Sequence, residues 1–181
     1  MSAGAASRRL FAVLNLVGGV CVLGSYAIGL LSYPESRGAV WGNVPGALRP
    51  LYSVSMLLAA AGYFPFSHYV YLALDSDRVR VFGRYGFGAF NAIYALILLP
   101  SVLWMPLTFR MIEQPDALLW FAIRSVLFVV GLASLALIAA IASAQPAGAP
   151  GARRWALIGA ALFALQTALL DALVWPAYFP A

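Results

Sequence analysis

Two side chains of opposite charge stand inside apolar runs of the chain: Arg124 within "WFAIRSVLFVVG" and Asp171 within "LLDALVW". A guanidinium is always charged and presents a planar fork of donors, which suits a carboxylate or phosphate. Charged groups at membrane depth are costly and usually pair or face a polar cavity. An ion pair between Arg124 and Asp171 is therefore the first expectation. In its binding form, Arg124 anchors an anionic group of a ligand and Asp171 holds the guanidinium in place. In its structural form, the pair only fixes the packing of two helices.

Amphipathic side chains gather at comparable heights: Tyr26, Tyr52, Ser101, Trp104 and Trp120. An interfacial belt of Trp and Tyr accounts for Tyr33, Trp41, Trp175 and Tyr178. It accounts less well for Tyr26, Ser101 and Trp104, which lie deeper. An aromatic pocket with a few polar groups is the usual form of a small-molecule site, so these residues join Arg124 and Asp171 as ligand-binding candidates. Asn15, His68 and Asn91 form a second polar set, expected to hydrogen-bond one another and tie helices together. His68 has no Cys, second His or nearby carboxylate at ligand spacing, which argues against a protein metal site. Axial haem ligation by His68 stays open. With no paired carboxylates, nucleophile elbow, metal cluster or phosphate loop, an enzyme is not expected, and no catalytic residue is assigned.

These residues need helices that cross a membrane. The 181 residues are 64% hydrophobic and 9% charged, with a mean hydropathy of +0.90. A bilayer core takes about 20 apolar residues per helix, and five stretches supply them: about 10–31, 51–74, 86–109, 117–143 and 155–179. The expected fold is an all-α integral membrane protein, a five-transmembrane-helix bundle forming one domain over 1–181. The first run follows Arg8 and Arg9, as a signal peptide would, but it is longer and lacks a small-x-small cleavage site. It reads as a helix. Cys21, the only cysteine, is expected to be a packing residue.

The basic residues are all arginine. Arg8, Arg9, Arg78, Arg80, Arg84, Arg153 and Arg154 fall on the amino-terminal side, against Arg37, Arg49 and Arg110 on the other. The positive-inside rule then makes the amino terminus cytoplasmic and the carboxyl terminus external, in a bacterial inner membrane. This charge speaks to topology, and no nucleic-acid partner is expected. Helix direction places Arg124 roughly 10 Å and Asp171 roughly 12 Å below the same outer face. Ala160, Ala164, Ala168 and Ala172, with Ser25 and Gly29, form small-xxx-small faces that allow close helix approach. Pro65, Pro100 and Pro106 predict kinks. "SAQPAGAPGARR" (143–154) reads as a flexible connector, and no internal repeat suggests duplicated transporter halves.

The five-span layout, the Pro-bearing first loop "YPESRGAVWGNVPGALRP" and the segment "LPSVLWMPLTF" together resemble the TspO/MBR family of tryptophan-rich sensory and translocator proteins. Trp104, Met105, Pro106 and Phe109 match the family's Trp-x-Pro-aromatic wording in its third helix, which brings Pro106 into the candidate site. Ser101 departs from the family's usual Asn, and no basic residue follows Tyr178 where the family's cholesterol motif would require one. The resemblance implies a five-helix bundle with an outward pocket beneath the first loop. The expected function is non-enzymatic binding of a flat hydrophobic molecule there, porphyrin-, haem- or sterol-like, in a sensory or transport role. No cofactor is required, although a porphyrin or haem is a candidate ligand. The bilayer and a hydrophobic small molecule are the expected partners, and a homodimer stays open. The alternative is a structural or assembly subunit with no small-molecule ligand.

Overall fold

The computed structural model describes residues 2–179, and among them the regular elements are all helical. The principal helices are α1 (Ala3–Ser32), α2 (Arg49–His68), α3 (Gly88–Glu113), α4 (Ala117–Ser143) and α5 (Pro150–Tyr178). A short 3-10 helix, Pro34–Trp41, lies in the loop between α1 and α2. α1, α3, α4 and α5 are each long and apolar enough to cross a membrane. α2 has 20 residues and continues into a π-helical turn at Tyr69–Ala73.

The apolar runs mark where lipid would lie; the helices extend beyond them wherever the ends can be capped. α1 runs back to Ala3 because Ser2 Oγ accepts the Ala5 amide at 3.1 Å and Asp77, from the loop after α2, accepts the Gly4 amide at 3.1 Å. A carboxylate there also complements the helix dipole. α5 begins at Pro150, a residue suited to the first helical turn because it has no amide to leave unpaired. The segment expected to be a flexible connector is thus half helical, and its remainder is tied down. The Arg80 amide donates to the Gln145 carbonyl at 2.7 Å, the Gln145 amide donates to the Arg80 carbonyl at 2.9 Å, and Tyr69 Oη donates to the Ala147 carbonyl at 2.7 Å.

The helices form an arc in the spatial order α1, α3, α4, α5, α2. Glycines set the closest approaches. A Cβ on Gly62 of α2 would lie 2.6 Å from the Gly159 carbonyl oxygen of α5, so the two backbones touch. Ala156, Ala160 and Ala164 are buried along the same helix, while Ala168 faces Gly131 of α4. The small-residue stripe of α5 therefore serves two neighbours. On α1, Gly29 seats the side chains of Met105 and Phe109.

α1 and α2, at the ends of the arc, meet near the amino-terminal side. Tyr63 Oη donates to Asn15 Oδ1 at 2.7 Å, and Phe11 stacks on Tyr71 at 6.2 Å. Asn91 donates instead to the Ser7 carbonyl at 3.0 Å, and His68 is exposed. The second polar set does tie helices, but not through mutual bonds: each Asn has a backbone or tyrosine partner, and His68 lines an open groove with Asn15 and Tyr71 without bonding to either Asn. Tyr63→Phe should remove the α1–α2 bond and cost about 1 kcal/mol of stability, read as a lower thermal midpoint in detergent.

Two cores result. One, around Phe11, Phe66, Tyr69, Phe90 and Tyr94, fills the half nearer the amino terminus. The other, around Tyr52, Ile123, Trp175 and Phe179, fills the half beneath the 33–48 loop. Val130 belongs to the first and Leu127 to the second, and both border a cavity.

Candidate ligand-binding site

The cavity has a volume of about 260 Å³, and every principal helix contributes to its wall. Val22 and Tyr26 come from α1, Met56 and Ala59 from α2, Ser101 and Trp104 from α3, Leu127 and Val130 from α4, and Phe163, Gln166, Thr167 and Asp171 from α5. The polar atoms cluster on the α5 wall. Gln166 Nε2 donates to Asp171 Oδ1 at 2.7 Å. Thr167 Oγ1 is committed to the Phe163 carbonyl at 3.0 Å and to Ser134 Oγ at 2.9 Å, and Ser101 Oγ donates to the Ile97 carbonyl at 2.6 Å. Two buried polar atoms of the lining residues have no partner among the described residues: Trp104 Nε1, a donor, and Gln166 Oε1, an acceptor. Buried groups of this kind are nearly always satisfied in folded proteins.

A change of helical register builds that wall. In an α-helix, at roughly 100° per residue, side chains five apart point to different faces. Residues Leu165–Val174 form a π-helix, in which the hydrogen bond spans five residues. Its wider turn brings Gln166 and Asp171 together. π-turns often mark functional sites.

The expected Arg124–Asp171 ion pair does not form. The salt bridge present among the described residues is Arg78–Asp75, at 3.6 Å. Arg124 instead lies in an aromatic row on α4, its Cζ 5.7 Å from the Trp120 ring centroid and 5.3 Å from that of Phe128. The buried stripe of α4 runs through Ile123, Leu127, Val130 and Ser134, so Arg124 lies one residue off it. Matching depth brought the two charges to one level; the azimuth of the helix turned them apart. Without that arginine, the lining residues offer no cation to a propionate or other anionic group.

The space directly beneath the first loop is packed rather than hollow. Trp175 packs tilted against Phe179 at 4.6 Å and edge-on to Trp104 at 5.8 Å, while Trp120 lies nearly parallel to Phe179 at 5.6 Å. Trp175 Nε1 donates to the Val40 carbonyl at 3.0 Å, and the Asn43 amide donates to the Tyr178 carbonyl at 2.7 Å, fastening the loop over this plug. Tyr52 belongs to the plug too, its hydroxyl donating to the Leu170 carbonyl at 3.3 Å. Pro106 is exposed on α3 and lines nothing.

Of the eight candidate residues, Tyr26, Ser101, Trp104 and Asp171 thus come together around the cavity. Tyr52 and Trp120 belong to the neighbouring packed plug, and Pro106 and Arg124 lie outside both. Gln166 and Thr167 were missed. Their polarity within an apolar span was visible, but the π-register that aims Gln166 at Asp171 was not. No protein-family model, curated protein or solved structure matches the chain.

Proposed function

We propose that this is a five-span, non-enzymatic membrane protein that binds a neutral, largely hydrophobic small molecule with a hydrogen-bonding head in the cavity between its two cores. The unpaired Trp104 Nε1 and Gln166 Oε1, on residues that line the cavity together with Asp171, carry this reading. They leave one donor and one acceptor unsatisfied in the wall of an otherwise largely apolar chamber, a pattern that a ligand hydroxyl or amide satisfies. The role is sensory or carrier-like, as the layout shared with TspO/MBR proteins suggests. α2 serves as the fifth span, with the arginine-rich amino-terminal side in the cytoplasm of a bacterial inner membrane and the carboxyl terminus outside.

Size and charge choose between the ligands suggested by the sequence. Ligand pockets usually occupy roughly 300–1,000 Å³, and this one, at about 260 Å³, lies just below that range. A porphyrin is wide and carries two propionates, with no cation to meet them. A sterol-like alcohol fits better: its hydroxyl-bearing ring enters the chamber, and its tail extends between α1 and α2, whose contacts lie nearer the amino-terminal side. The packed plug makes that lateral route the natural one from the bilayer.

Dehydroergosterol, which accepts tryptophan emission, tests the reading in purified full-length protein. Energy transfer should saturate at one molecule per chain, fall in Trp104→Phe and vanish in Asp171→Leu, while protoporphyrin gives no saturable, Asp171-dependent signal. Transfer that rises linearly with sterol and ignores both substitutions would sink the proposal. One observation favours the assembly reading: only 11% of the most apolar window of α1 is buried, against 33–44% for α3, α4 and α5. A helix so exposed could lie against another protein.

A further inference from the structure

Arg124 is left with nothing to neutralise it. Its guanidinium makes no ion pair among the described residues, and its buried Nε has no hydrogen-bond partner. It lies in a groove along one face of α4 formed with Trp120, Phe121, Ser125, Phe128 and Val129. This face is separate from the cavity. Phe121, Phe128, Val129 and Leu132 are exposed along it, which in a bilayer means exposed to lipid.

We propose that this groove is a binding site for one phospholipid of the leaflet on the Pro34–Trp41 side, with the lipid phosphate held by the Arg124 guanidinium. Three observations support this occupant. The first is charge: a lone, forked cation calls for a forked anion, and phosphate offers two oxygens in matching geometry. The second is height. α4 has 27 residues and so is roughly 40 Å long, against roughly 30 Å of hydrocarbon, leaving about 5 Å of overhang at each end. Arg124, about 10 Å from the start of the helix, then lies some 5 Å inside the hydrocarbon boundary. Helical side chains lean toward the amino-terminal end of their helix, which for α4 is this same boundary, so the guanidinium reaches toward the phosphates. The third is the surround. Trp120 and Phe128 flank the cation at ring distances of 5.7 and 5.3 Å, restricting its rotamers, and the apolar surface from Phe128 to Leu132 continues into the membrane as a bed for an acyl chain.

Native mass spectrometry of the full chain in detergent, with added phosphatidylglycerol, phosphatidylcholine or diacylglycerol, tests this site. Wild-type protein should retain one molecule of either phospholipid roughly ten- to a hundredfold more tightly than diacylglycerol. Arg124→Gln should abolish that preference, with helicity unchanged by circular dichroism. Arg124→Lys, which keeps the charge but loses the fork, should fall between them and supplies the comparison if the Gln variant fails to fold. Inorganic phosphate alone should leave the lipid in place. Equal phospholipid retention in wild type and variants overturns the proposal. So does displacement of the lipid by free phosphate, or an Arg124→Gln variant that turns an oligomer into monomers while lipid retention stays constant.

Discussion

Gly62→Leu should separate α2 from α5 and leave a protein that no longer survives purification as a monodisperse species. The cause is local and severe. A Cβ at this position meets the Gly159 carbonyl oxygen at 2.6 Å, and a backbone oxygen in a helix cannot swing aside as a flexible side-chain end can. The helices must part, and the seam made by Ala156, Ala160 and Ala164 parts with them. Association of helices in lipid depends on such close van der Waals packing, since lipid tails compete equally well for apolar surface. The expected cost is about 3 kcal/mol, at the upper end for overpacking. Gly24→Leu is the matched control, because a Cβ on Gly24 meets nothing within 4 Å. Size-exclusion profiles and thermal midpoints of the two variants should diverge sharply. Similar behaviour would mean that the glycine contact is not what holds α2 against α5.

Asp171→Leu should stabilise the protein while abolishing ligand uptake. Among the described residues, Asp171 has one hydrogen-bond partner, Gln166, and no ion pair. Replacing it with leucine puts apolar atoms into an apolar chamber, worth about 2 kcal/mol. The stranded Gln166 amide gives back about 1 kcal/mol. A net gain near 1 kcal/mol is expected, visible as a higher thermal midpoint together with loss of saturable sterol binding. Activity and stability often trade in this way where a site keeps polar groups in a dry place. If Asp171 were only mortar between helices, the same substitution would lower the midpoint and leave binding untouched.

Much of the architecture was legible in the sequence, because lipid imposes a simple requirement on length and polarity. α4 begins and ends at the residues expected of it, and the other apolar runs lie on helices whose caps carry them further at one or both ends. Tyr26, Ser101, Trp104 and Asp171, singled out in the sequence as too polar for their depth, line one cavity in the structure. What could not be read was rotation. Depth follows from counting residues along a helix, but azimuth depends on which neighbour each face meets. A one-residue offset from Ile123 was enough to turn Arg124 out toward lipid. The π-register of α5 was hidden for a related reason. Within it Thr167 and Ala168 pack on Gly131 and Thr167 bonds Ser134, interhelical contacts that no local propensity between Leu165 and Val174 advertises.

Photolabelling tests the central claim, a small-molecule chamber between two cores, most directly. A diazirine-bearing sterol alcohol, irradiated with the full chain in lipid nanodiscs and mapped by peptide mass spectrometry, should label Tyr26, Trp104 and the 163–171 segment, and excess unlabelled sterol should suppress that labelling. Labels confined to outward-facing positions such as Leu23, Leu132 and Leu173, undiminished by competitor, would contradict it.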